Sequence, residues 1–112
     1  MKLAFTTQGT DWASSMDPRF GRTQLFFVYD EGSEEIQIHD NSDIENEAHG
    51  AGPRTAQKLS GFDAQVLITG NGPGGNAARV LRSIGTEIYV GAGGMTVREA
   101  YDAYKRGELT KF

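Results

Sequence analysis

Gln65-Val66-Leu67-Ile68-Thr69-Gly70-Asn71-Gly72-Pro73-Gly74-Gly75 is the stretch from which the fold of this chain can be read. Gln65 to Thr69 is a nearly continuous apolar run, the pattern of a strand buried on both faces. The glycine-rich turn after it opens a helical stripe of Ala77, Val80, Leu81 and Ile84. Glu87-Ile88-Tyr89-Val90 is a second buried strand, and Gly91-Ala92-Gly93-Gly94 leads into another helix. There Thr96 and Glu99 stand at capping-box spacing, and Val97, Ala100, Tyr101 and Tyr104 recur at i, i+3, i+4 and i+7. Gly107 ends that helix. Strand, helix, strand in this order implies a crossover and therefore parallel pairing.

Working outward, Lys2 to Thr6 is a short first strand, and Thr7 to Arg22 is a polar loop carrying the Asp17-Pro18 turn signal. Loops of that length in a small domain are more often functional than idle. Gln24 to Asp30 and Glu34 to Asp40 read as a hairpin turning at Glu31-Gly32-Ser33, with Ile36 and Ile38 on one face and His39 facing solvent. Gly52-Pro53 begins a helix that turns Ala56 and Leu59 inward and ends at Gly61. The expected architecture is a β-meander followed by αβαβα, a mixed-sheet α/β sandwich with helices on the sheet faces, in a single domain spanning residues 1–112.

With 38% hydrophobic and 23% charged residues, the composition is that of a folding globular chain. A net charge of -4 disfavours nucleic acid and anionic membrane as partners, and no apolar stretch is long enough to span a bilayer, so a cytoplasmic location is expected. The absence of Cys excludes disulfides, thiolate nucleophiles and Cys-based metal motifs. Eight acids and no base lie between Asp30 and Glu47, the composition of a solvated edge that resists aggregation or, alternatively, of a hard-metal site.

Both glycine turns leave the carboxyl end of a parallel strand and begin a helix. At that edge of an open α/β sheet, helix N-termini present unpaired N–H groups, and glycine lets backbone approach a bulky ligand. Tight strand-to-helix turning alone would also account for them. Gly70, Gly72 and Gly75 satisfy G-x-G-x-x-G, but the next strand ends in Gly91-Ala92 where a dinucleotide site needs an acid. Asn76-Ala77 replace the Lys and Ser/Thr of a P-loop. Arg19 and Arg22, around Phe20-Gly21, and Arg54 on the first helix offer guanidinium donors to a multiply charged anion; exposed solvation or pairing with the acidic hairpin is the alternative. His49, in His49-Gly50-Ala51-Gly52, is the candidate metal ligand, and Met95 is either a soft ligand or a packing residue. No nucleophile-base-orienter arrangement and no strand-borne carboxylate cluster is present, so catalysis is not expected.

Asp17-Pro18-Arg19-Phe20-Gly21-Arg22, His49-Gly50-Ala51-Gly52, Val66-Leu67-Ile68-Thr69-Gly70-Asn71-Gly72 and Gly93-Gly94-Met95-Thr96-Val97, with Gly107-Glu108-Leu109, together resemble the dinitrogenase iron-molybdenum cofactor biosynthesis family. That family includes NifX-like proteins and the carboxyl-terminal domain of NifB. The resemblance implies a ribonuclease H-like motif, with a five-stranded mixed sheet of order 3-2-1-4-5 and topology βββαβαβα, and no nuclease activity. It also implies binding, carriage or storage of an anionic metal-sulfur cluster of iron and/or molybdenum, or of a mixed molybdenum-copper sulfide. The expected cofactor-binding set is Arg19, Phe20, Gly21, Arg22, His49, Gly50, Gly52, Arg54, Gly70, Asn71, Gly72, Gly93, Gly94 and Met95. Cluster-assembly proteins are the expected partners. A protein-interaction module docking through the acidic hairpin and a small phosphate or nucleotide sensor are the competing expectations, and the sequence sets no oligomeric state.

Overall fold

The computed structural model describes residues 1–45 and 51–112. In chain order the elements are β1 (Lys2–Thr7), β2 (Leu25–Asp30), β3 (Ile36–Asp40), a single-turn α1 (Ser42–Glu45), α2 (Ala51–Ser60), β4 (Val66–Ile68), α3 (Gly75–Ser83), β5 (Glu87–Val90), α4 (Val97–Lys105) and β6 (Thr110–Lys111). They form one sheet of order β3-β2-β1-β4-β5-β6. β1 pairs antiparallel with β2 and parallel with β4, and β4 pairs parallel with β5, so the meander and the crossover units meet at β1.

The expected order 3-2-1-4-5 holds, but the sheet has six strands rather than five. The addition is made by the end of α4. Gly107, at φ 73°, takes the left-handed position of a Schellman motif, with Gly107 N–H donating to Tyr104 O and Glu108 N–H to Ala103 O. That reversal returns Thr110 and Lys111 antiparallel to Val90 and Tyr89. Gly85, at φ 82°, ends α3 by the same device, with Thr86 N–H on Leu81 O.

Strand alternation divides the core in two. Ala4, Phe26, Val28, Leu67 and Ile88 meet Ala56 and Leu59 of α2 and Ala77, Ala78 and Leu81 of α3 on one face. Leu3, Phe5, Phe27, Val66 and Ile68 meet Val97 and Ala100 of α4 on the other. The helical stripe expected for α3 is displaced at its end: Ala78 is buried, whereas Ile84 lies past the last turn and is 47% exposed.

The Thr7–Arg22 segment is more ordered than a polar loop. Thr7 bridges to Met16 and Ser15 to Thr96, while Arg98 N–H donates to Trp12 O and Val97 N–H to Ser14 O. Trp12 and Met16 enter the α4-side core and Phe20 the opposite one, so the segment is anchored on both faces of the sheet. His39 is not the solvent-facing residue expected. Its ring stacks on Phe62 at 3.9 Å and 14°, and the resulting burial, followed by the charge of Lys58, lowers its pKa below the ordinary 6.5.

Candidate functional site at the carboxyl edge of the sheet

The turns that leave β4 and β5 touch each other. Gly91 N–H donates to Gly70 O at 3.0 Å, and Gly93 Cα lies 3.3 Å from where a Cβ on Gly70 would stand. That Cβ would also come 2.7 Å from Pro18 Cα, and Asn71 N–H donates to Pro18 O at 2.8 Å. Gly21 is pressed against the start of α2, where a Cβ would meet Gly52 N and Cα at 2.9 Å. The close approach that glycine permits at positions 21 and 70 is thus used between segments of the chain itself. It draws the 17–22 loop, the 70–75 turn, the 91–95 turn and the first residues of α2 to one edge. Beneath them, buried Thr6 Oγ1 donates to Asp17 O at 2.8 Å and lies 2.9 Å from Thr69 Oγ1.

Sequence reasoning passed over the residue that organises the arginine loop. Asp17 is fully buried, and its carboxylate accepts from Arg19 N–H at 3.0 Å, Arg19 Nε and Nη2 at 3.1 Å and Gln24 N–H at 3.1 Å. The bidentate pair holds the guanidinium rigidly at the crevice, with the Arg19 side chain 42% exposed. Of the two alternatives for Arg19, pairing occurs, and Asp17 is a partner. The signal available in the sequence was Asp17-Pro18, which read only as a turn. Phe20 packs inward, Arg22 is half-buried and Arg54 is exposed on α2. His49 and Gly50 lie outside the described residues.

The helix starts at this edge are unequal. Gly74, the N-cap of α3, makes no side-chain cap, and the first turns of α2 and α3 carry no acid. Among the described residues nothing lies within 4 Å of where a Cβ on Gly74 or Gly75 would stand, and none accepts from the N–H groups of Gly75, Asn76 or Ala77, the first amides of α3. The start of α4, by contrast, is closed. Thr96 Oγ1 accepts from Glu99 N–H at 3.1 Å and Glu99 Oε1 accepts from Thr96 N–H at 2.9 Å, so the expectation of unpaired donors at both glycine turns holds only for α3. Gly94, at φ 83°, serves the turn. Met95 packs on the α4-side core, and its carbonyl accepts from Met16 N–H. Asn71 is exposed, and the Phe112 ring lies over Gly72.

What this edge offers is amide N–H, guanidinium and a helix dipole. There is no Cys, and the described residues contain no group of three His, Cys, Asp or Glu able to hold a metal ion, so the donor set fits a preformed anion rather than a bare cation. A cleft of about 300 Å³ occupies the opposite edge, beside Ser60, Asp63, Gln65 and Thr86. It lies at the carbonyl ends of α2 and α3 and next to a carboxylate, a setting that repels anions.

Fold and edge together define a small mixed-sheet α/β protein whose glycine turns, arginine loop and uncapped α3 start converge. The chain belongs to the dinitrogenase iron-molybdenum cofactor family, whose profile matches residues 1–107. Among solved structures it is similar to the apo form of the orange protein from Desulfovibrio gigas, at 32% identity and a TM-score of 0.92, covering 99% of this chain and 92% of that one. It is also similar to a Thermotoga protein described provisionally as NifB, at 34% identity and a TM-score of 0.83, covering 98% and 91% of the two chains. No protein of curated function matches the sequence. Among the described residues no helix is long and apolar enough to cross a membrane.

Proposed function

We propose that this protein binds and carries an anionic metal-sulfur cluster, of iron and/or molybdenum, without turning it over. The supporting observation is the uncapped start of α3, free of acids, lying beside a loop whose Arg19 is fixed by buried Asp17. Amides at the Gly74–Gly75 start of α3 form the floor, with the exposed Asn71 side chain beside them, and Arg19, Arg22 and Arg54 the rim. Gly21, Gly52, Gly70 and Gly93 hold the backbone segments together, Phe20 anchors the loop, and Gly94 and Met95 shape the far wall. His49 remains the candidate anchoring ligand. A net charge of -4 does not oppose this, because exposed charges more than about 10 Å away are largely screened at physiological salt. The family membership and the likeness to the orange protein support a cofactor-associated role, with cluster-assembly proteins of the cytoplasm as donors and acceptors of the guest.

The test is anaerobic reconstitution with iron, molybdate and sulfide, followed by gel filtration and metal analysis, alongside protein purified without oxygen from its own host. Metal and sulfide are expected to coelute with the protein. The Arg22→Gln/Arg54→Gln double variant is expected to lose at least about tenfold in loading, the equivalent of about 1.4 kcal/mol. Metal that coelutes in neither preparation would overturn the reading.

A further inference from the structure

Arg22 lies in a turn whose carbonyls are held by buried side chains from elsewhere in the chain. Thr23 N–H donates to Phe20 O at 3.2 Å, which makes Gly21 and Arg22 the central residues of a β-turn and Gly21 O the carbonyl of its central peptide. Rotation of that peptide converts one turn type into another and redirects the residue that follows it. Thr55 on α2, fully buried, donates from Oγ1 to Gly21 O at 2.7 Å. Asn41, fully buried just past β3, donates from Nδ2 to Thr23 O at 3.0 Å and to Thr55 Oγ1 at 3.3 Å, and its N–H donates to Gln24 O at 2.9 Å. The carbonyls on both sides of Arg22 are therefore fixed by side chains 34 and 18 positions away.

The donors and acceptors of this pair dictate their arrangement. A hydroxyl has one proton; Thr55 gives it to Gly21 O, while Asn41 Nδ2 occupies a lone pair on the same oxygen. Turning the Asn41 amide over would set Oδ1 against Thr23 O, two acceptors facing each other. In the arrangement present, Asn41 Oδ1 is buried without a donor. An unpaired buried acceptor is destabilising, so an apolar side chain of similar shape would serve packing at least as well, and what Asn41 contributes is its donors. We propose that Thr55 and Asn41 are positioning residues that hold Arg22 toward the anion site at the carboxyl edge of the sheet. Thr55 fixes the central peptide of the turn, and Asn41 fixes Thr55 and Thr23. Ordering the base of a long cationic side chain before a guest arrives lowers the cost of binding. The inference rests on the reading of that edge as the site of a multiply charged anion.

The experiment combines amide chemical shifts and hydrogen exchange of the guest-free chain with anaerobic titration by tetrathiomolybdate. Thr55→Val keeps the shape of the side chain and removes the proton on Gly21 O. It is expected to speed exchange at the Thr23 amide that closes the turn and to weaken tetrathiomolybdate binding by about tenfold, with Thr55→Ser restoring both. In an Arg22→Gln background the same Thr55→Val change is expected to cost less than about twofold, because its effect passes through Arg22. Asn41→Leu removes the donors together with the unpaired acceptor and is expected to repeat both losses with Tm near that of the parent. Should Thr55→Val melt far below the parent, Asn41→Leu carries the comparison in both backgrounds. Equal losses with and without Arg22, or parental binding by a variant whose turn has loosened, would overturn the proposal. A parent that binds no tetrathiomolybdate counts against the proposed function, and the guest-free chain then decides this inference: faster exchange at Thr23 with shifted Arg22 resonances upholds the hold on Arg22, and an unchanged turn in Thr55→Val overturns it.

Discussion

Gly74→Asp is expected to raise stability and lower guest binding at once. Gly74 caps α3 at φ -63° and ψ 168°, extended backbone open to any residue, with no neighbour for a Cβ. An Asp there accepts from the amides of Asn76 or Ala77. Relative to a capping Gly this gains a few tenths of a kcal/mol, and the negative charge at the helix start adds about 0.3–1 kcal/mol. A total of about 0.5–1 kcal/mol in a chain of this size raises Tm by roughly 2–6 °C. The same carboxylate occupies the amides that the guest would use. Placed about 5 Å from a bound anion, it repels each unit of charge by roughly 3 kcal/mol at an effective dielectric of 20. Solvent reduces this, and at least about tenfold weaker binding is expected, equivalent to about 1.4 kcal/mol. Calorimetric melts measure the first effect, and anaerobic titration with tetrathiomolybdate the second. Gly74→Ala, which leaves the amides uncovered, serves as the control. A Gly74→Asp protein that melts higher yet binds tetrathiomolybdate as the parent does would refute the assignment of the α3 start as the floor.

Gly70→Ala places a methyl 2.7 Å from Pro18 Cα, a backbone atom that cannot swing aside, and is expected to cost about 1–3 kcal/mol in thermal or urea unfolding. Glu34 holds φ 62° in the hairpin turn, so Glu34→Gly is expected to gain about 0.5–1 kcal/mol in the same assay, left-handed backbone relief outweighing the entropy of glycine. His39 titrates below 6.5 when folded because burial resists its charge. The unfolded chain therefore binds the extra proton, and the contribution of His39 is present above pH 6.5 and lost as pH falls from there toward the lowered value. Tm measured across that window is expected to fall less steeply in His39→Phe, which keeps the ring stack; an unchanged slope would contradict the assignment.

The crossover half of the fold was legible because its signals are local and redundant. An apolar run, a glycine turn, an amphipathic stripe and a capping box each specify the same arrangement around β4, α3, β5 and α4, and Thr96–Glu99 closes as the spacing requires. β6 was not legible, since Thr110 and Lys111 are two exposed polar residues whose pairing is imposed by the Gly107 reversal. His39 carried no signal of its stack, because Phe62 is remote in sequence and reaches it only through the packing of α2 on the sheet. At the site, the glycine turns and arginines were visible as residue types, but their division of labour was not. Whether Gly70 faces a ligand or Pro18, and whether Arg19 is satisfied by Asp17, are tertiary facts that composition does not encode.

The segment between β1 and β2 puts Phe20 into one core and Met16 and Trp12 into the other. Lifting it as a flap would strip a large apolar side chain from its packing on each face, at roughly 1.5–3 kcal/mol apiece. The 7–22 segment is thus part of the landing surface rather than a cover over it. If the α3 start is the floor as proposed, a guest would arrive and depart along the side at Gly74–Gly75, and its dwell time would follow the strength of its contacts there.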